Sequence, residues 1–172
     1  MSNILKKLRG GDLRSIGQAN EVARAVEDNP ALFETIFSGL TDDDPIVRMR
    51  SADAIEKVTQ NKPDLLSGYT SKVIAMLTTS NQQEVCWHMA QISPRLKYTP
   101  KEELEIVESL KECLRHNSKI VQVSAMESLA TIAERNKSIL TEVVEIIKVQ
   151  LKTVSPAVQS RGRKLLHRLE AI

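Results

Sequence analysis

The stretch DPIVRMRSADAIEKV, residues 44–58, recurs in altered form as QEVCWHMAQISPRL (83–96), SKIVQVSAMESLATI (118–132) and SPAVQSRGRKLLHRL (155–169). The four segments align on Val47, Val85, Val121 and Val158, which lie 38, 36 and 37 residues apart. Eleven positions beyond each valine stands another aliphatic residue: Val58, Leu96, Ile132 and Leu169. That interval is three helical turns, so each valine and its partner share one face of a helix.

Working outward, each segment is preceded by another apolar-periodic stretch: PALFETIFSGL (30–40), PDLLSGYTSKVIAML (63–77), PKEELEIVESLKECL (100–114) and SILTEVVEIIKVQL (138–151). The joints repeat as well, with Asn29-Pro30, Asn61-Lys62-Pro63 and Asn136-Lys137-Ser138 closing one helix and opening the next. A unit is therefore helix, turn, helix, in the length range of HEAT and armadillo repeats. Asp44-Pro45 and Ser155-Pro156 place an N-capping residue before a proline at the first helical position. Thr99-Pro100-Lys101-Glu102 has the spacing of a capping box. Asp42, Asp43 and Asp44 suit the positive end of a helix dipole.

These signals predict an all-α chain of one domain, residues 1–172, with repeats at 30–60, 61–97, 98–135 and 136–172. Residues 1–29 read as a degenerate N-terminal cap, with a first helix over 2–9 and a second over 12–28. Pro94 cannot donate within a helix interior, so the helix containing Val85 should end or bend near Ile92.

The segment DDDPIVRMRSADAIEKV resembles the second helix of a HEAT repeat, matching that family's pattern at Asp44, Pro45, Val47, Arg48, Ala52, Ala54 and Ile55. The resemblance is strongest over 30–60 and weakest over 81–96, where Cys86-Trp87-His88 replaces the usual pattern. It implies a right-handed α-α superhelix of about four to five helix pairs, with first helices on the convex side and second helices lining the concave side. It also implies that Arg48 contacts an acidic side chain of a neighbouring turn.

Hydrophobic residues make up 41% and charged residues 27% of the 172, which suits a folded chain, while 3% aromatics leave the core to Leu, Ile, Val, Ala and Met. Twenty-four Lys and Arg against 22 Asp and Glu are too nearly balanced to indicate nucleic acid or an anionic membrane by composition. The charged N-terminus lacks a secretory apolar run, and no stretch reaches the ~20 apolar residues of a membrane span, so a cytoplasmic location and no membrane partner are expected. Cys86 and Cys113, without a CxxC or a histidine cluster, read as free buried thiols.

No Gly-rich phosphate loop, GxSxG elbow, HExxH or Ser-His-Asp set is present, so no catalytic residue, cofactor or metal ligand is expected. HEAT-like enzymes are the weaker readings. A di-iron type would need His-Glu pairs, yet His88, His116 and His167 precede Met89, Asn117 and Arg168. A DNA glycosylase would need an aromatic cleft, and Trp87 is the sole tryptophan. A bilin lyase has no signature here.

The remaining expectation is a non-enzymatic scaffold or adaptor that binds a protein or peptide, acidic or mixed in charge, on the concave face. Positions three, six and ten beyond each valine should point outward: Arg50, Asp53, Lys57; His88, Gln91, Arg95; Ser124, Glu127, Thr131; Arg161, Lys164, Arg168. Of these, Arg50, Lys57, His88, Arg95, Arg161, Lys164 and Arg168 are the candidate partner-binding residues. The stripe is interrupted at Glu127, which ranks nucleic acid second as a partner. The basic C-terminal helix, with Leu165, Leu166 and Leu169 on one side, reads as a polar cap over packed leucines.

Overall fold

The computed structural model describes residues 3–152 and 155–172. Residues 1, 2, 153 and 154, which fall in the expected first and last repeats, lie outside the described residues. Among the described residues every regular element is helical. Ten α-helices follow in order: α1 (Asn3–Lys6), α2 (Ala19–Asp28), α3 (Phe33–Ser38), α4 (Pro45–Asn61), α5 (Thr70–Thr79), α6 (Gln83–Ile92), α7 (Pro100–Cys113), α8 (Lys119–Arg135), α9 (Leu140–Gln150) and α10 (Pro156–Glu170).

The helices pack as consecutive pairs, α3 on α4, α5 on α6, α7 on α8 and α9 on α10. The second members also touch in chain order, α2 to α4 to α6 to α8 to α10. Val47, Val85, Val121 and Val158 are all fully buried, and Val58, Leu96, Ile132 and Leu169 are buried with them. The repeated valine therefore sets a common register in four helices.

Local chemistry explains the helix ends. The Asp44 carboxylate accepts from the Ile46 N–H at 2.9 Å and opens α4. At α7 the capping box is complete: the Thr99 hydroxyl accepts from the Glu102 N–H at 3.3 Å, and Glu102 accepts from the Thr99 N–H at 2.8 Å. Asn29 and Asn136 accept from the N–H groups of Ala31 and Ser138, turning the chain at two of the joints. α6 stops at Ile92, and Pro94 lies in a 3-10 turn over Ser93–Arg95.

Three first helices are shorter than the periodicity predicts, because the chain enters α3, α5 and α9 through 3-10 turns at Pro30–Leu32, Pro63–Leu66 and Lys137–Ile139. Before α5, Gly68 takes the left-handed conformation at φ 78°, which breaks the expected continuous helix.

The expected helix over 12–28 begins only at Ala19. Residues 9–18 form an exposed strap instead, with Gly10, Gly11 and Gly17 all at positive φ. Its anchor is Arg50. A Cβ added at Gly17 would lie 2.6 Å from the Arg50 Cζ, so glycine is required there by space as well as by backbone angle.

Candidate partner-binding face

The second helices supply the face, and packing on both flanks decides how much of it solvent can reach. At the position three beyond the valine, Arg50, His88 and Ser124 are buried, at 2%, 7% and 5% exposure. The accessible strip runs instead through positions two, six and ten: Trp87 and Val123 are half-buried, Gln91 and Lys164 exposed, Asp53, Lys57, Arg95, Glu127, Thr131 and Arg168 half-buried. Four-residue steps advance only about 40° around an α-helix, so these positions lie along one slightly spiralling ridge.

Arg50 does not face solvent, contrary to the expectation from its position. Its Nε donates to the Ser15 carbonyl at 3.0 Å, and its Nη1 to those of Leu8 and Gly10 at 2.9 and 2.7 Å. The strap folds over the guanidinium because backbone carbonyls there have no helical partner, and a planar fork of N–H donors can satisfy several at once.

His88 is also withdrawn. Its Nδ1 lies 3.1 Å from Gln91 Oε1 and its Nε2 3.9 Å from Asp53 Oδ1. Burial pushes the imidazole below its ordinary value of 6.5, against the opposing pull of Asp53 and Glu56. The Trp87 ring sits beside it, with centroids 5.0 Å apart.

Most of the remaining cations tie one repeat to the previous one. Lys57 Nζ binds Asp53 at 2.6 Å and Asn20 at 2.5 Å. Arg95 reaches back 39 residues to Glu56 at 2.5 Å and also binds the Thr59 hydroxyl at 2.9 Å. Arg161 and Arg168 meet on the Glu127 carboxylate at 2.9 and 2.6 Å, and Arg168 Nε lies 2.5 Å from Glu134. Burial works to raise the Glu56 carboxyl, but hydrogen bonds from Arg95 and Gln60 hold it below its ordinary value. Lys164 is exposed, and among the described residues it has no ion pair.

Arg48 binds the Gln82 side-chain oxygen at 2.7 Å and the carbonyls of Asp42 and Asp43 at 2.7 and 3.1 Å. Its partners are an amide and two carbonyls where an acidic side chain was expected. It remains a structural clasp between the turn before α4 and the start of α6.

Between α6, α8 and α10 the strip opens into a groove of about 370 Å³. Its walls include Gln91, Pro94, Arg95, Val123, Glu127 and Arg161. α6 has 10 residues where α4 and α8 each have 17. The proline that stops α6 removes the turns that would have filled this space.

No family model matches the chain, and no curated protein matches it. A solved structure does. The crystal structure of an engineered protein superposes with a TM-score of 0.66 at 21% identity, over 98% of this chain and 78% of that one. At that identity the likeness concerns the all-helical fold alone.

Among the described residues no group of three or more His, Cys, Asp or Glu could hold a metal ion, and no helix is long and apolar enough to cross a membrane. Cys86 and Cys113 are buried free thiols. Burial, with smaller effects from Cys86 and Glu112, pushes the Cys113 thiol up to about 11, which disfavours the nucleophilic thiolate near neutral pH.

Trp87 and Val123 are the face residues that the valine-based count passed over. The signal was present in the sequence: Trp87 is the only tryptophan, and it falls two residues after Val85, at the same register as Val123 after Val121.

Proposed function

We propose that this chain is a non-enzymatic adaptor whose second-helix face binds a protein or peptide. The observation that carries the reading is the groove at Pro94, with half-buried Trp87 one helical turn before Gln91 on its edge. A partly exposed aromatic beside a polar-rimmed groove is the kind of anchor that carries binding energy in protein interfaces. Lys164 on the α10 side, exposed and without an ion pair among the described residues, favours an acidic or mixed-charge segment. A continuous nucleic-acid track is the weaker reading, because Arg95, Arg161 and Arg168 already share carboxylates of the preceding repeats.

The same reading takes the stack as a right-handed HEAT-like superhelix, with the second helices on its concave side. Their unbroken order of contacts from α2 to α10 supports it. A cytoplasmic setting belongs to the proposal and suits two thiols left unpaired.

The test is affinity capture with the wild type, Trp87→Ala and the double variant Arg161→Glu/Lys164→Glu. A partner held by the wild type and lost by both variants, while their helicity is unchanged, supports the proposal. Equal retention by all three would remove this face as the binding surface, and nuclease-sensitive retention would move the assignment to nucleic acid.

A further inference from the structure

Ser124 lines the groove between α6, α8 and α10 and is 5% exposed. Among the described residues its hydroxyl makes no hydrogen bond, not even to the carbonyl four residues earlier, where a helical serine can fold back. The neighbouring groove hydroxyls are committed. Thr131 donates to the Glu127 carbonyl at 2.9 Å, and Ser128 to that of Ala90 at 2.6 Å. A buried polar group without a partner is costly, so Ser124 marks a place for a group that the chain itself does not supply. Gln91, on the rim, also has spare capacity. Its oxygen accepts from His88 Nδ1 at 3.1 Å, and among the described residues its amide nitrogen has no partner.

Charge within the groove cancels. Glu56 and Glu127 line it against Arg95 and Arg161, and each arginine is bonded to one of those carboxylates, at 2.5 and 2.9 Å. An entering ion of either sign meets one repelling partner in each pair, and could be matched only by breaking a pair. An uncharged occupant avoids both costs.

Size and wall chemistry narrow the choice further. About 370 Å³ lies at the low end for ligand pockets, which suits one large side chain. Val123 and the Pro94 ring give apolar walls, while Ser124 and Gln91 supply the hydrogen-bonding groups. Tyrosine joins an apolar ring to a hydroxyl that both donates and accepts, and guanidinium planes such as those of Arg95 and Arg161 stack well on aromatic rings. Phenylalanine would leave Ser124 unmatched, and a carboxamide would leave much of the apolar wall bare.

We propose that this groove receives a tyrosine side chain of the partner segment, its hydroxyl bonded to Ser124 and Gln91 and its ring between Pro94 and Val123. The inference rests on the second-helix face being the binding face, and names the residue that anchors the partner there. Exposed Lys164 meets acidic residues of the segment outside the groove.

The test titrates the isotope-labelled full chain by NMR with N-acetyltyrosinamide, N-acetylphenylalaninamide, N-acetylglutaminamide and N-acetylphosphotyrosinamide. The tyrosine probe should shift the amide resonances of Gln91, Val123 and Ser124. It should bind about fivefold more tightly than the phenylalanine probe, the difference that one hydrogen bond makes. The glutamine and phosphotyrosine probes should both bind more weakly than tyrosine. Ser124→Ala should make tyrosine and phenylalanine equal; alanine is the better helix former, so this variant keeps the fold, as circular dichroism checks. Equal binding of tyrosine and phenylalanine to the wild type, a tyrosine preference that survives Ser124→Ala, tighter binding of glutamine or phosphotyrosine, or no shifts at the groove would each overturn the proposal. Any of those results beside partner capture that still depends on Trp87 would leave the second-helix face standing. The expected probe binding without capture of any partner would instead remove the adaptor reading alone.

Discussion

Replacing Arg50 with alanine should unfasten the N-terminal strap and destabilise the whole chain by about 3 kcal/mol. The guanidinium makes three well-formed bonds to carbonyls, at 2.7, 2.9 and 3.0 Å. Hydrogen bonds to a charged group contribute about 1.5–3 kcal/mol each, which would sum to several times a typical single-mutation effect if the carbonyls stayed buried. They need not stay buried. Residues 9–18 are exposed, so released carbonyls can be hydrated and the loosened residues regain roughly 1 kcal/mol apiece in backbone entropy. Undocking therefore limits the loss to the smaller figure. For a chain of this size that corresponds to a fall in Tm of about 6–12 °C. Urea denaturation gives the stability, and limited trypsin digestion reports cleavage after Arg9 and Arg14. Arg50→Lys should fall between wild type and alanine, because a single ammonium cannot span the same carbonyls. A change below about 0.5 kcal/mol with unaltered cleavage of the strap would refute the reasoning.

Ser51 is fully buried and among the described residues its hydroxyl has no hydrogen-bond partner, so Ser51→Ala should raise stability by up to about 1 kcal/mol in chemical denaturation, and a clear loss would contradict that. Gly39→Ala should destabilise, since the new Cβ would lie 2.2 Å from Ser51 Oγ and 2.9 Å from Leu5 Cδ2, and the Ser51→Ala background should recover part of the cost; additive effects would speak against the contact. His88 has its folded pKa below 6.5, so the unfolded chain takes up the proton first. Its contribution is complete above about pH 6.5 and is lost as pH falls toward the folded value, so the stability difference between wild type and His88→Gln should shift against the wild type from pH 7.5 to 5.5. A difference independent of pH in unfolding titrations would contradict this. Cys113, with its thiol pushed up to about 11, should resist iodoacetamide at pH 8 until the chain is unfolded, as read by mass spectrometry; rapid native labelling would be inconsistent with its burial.

The register was legible because it depends on local periodicity. Val47, Val85, Val121 and Val158 mark buried faces whatever their neighbours do, the Thr99 capping box is complete within four residues, and Pro94 stops its own helix. Exposure on the second helices was not legible in the same way. Whether Arg50 or His88 meets water depends on the strap and on Asp53, which lie far away or on another helix. Helical spacing treated Arg95 and Arg161 as a solvent-facing pair, whereas each is drawn onto a carboxylate of the preceding repeat. The unexpected strap has a physical reason too: three glycines at positive φ favour a wrapped loop over the first turns of a helix.

The partner-binding face is tested most directly by site-specific photo-crosslinking. Benzoylphenylalanine would replace Gln91, at the groove, or Lys101, an exposed position on α7. The account predicts a discrete protein adduct from position 91 that resists nuclease and disappears in the Trp87→Ala and Arg161→Glu/Lys164→Glu backgrounds, with none from position 101. Adducts from position 101 alone, or equal adducts from both positions that ignore those substitutions, would contradict it.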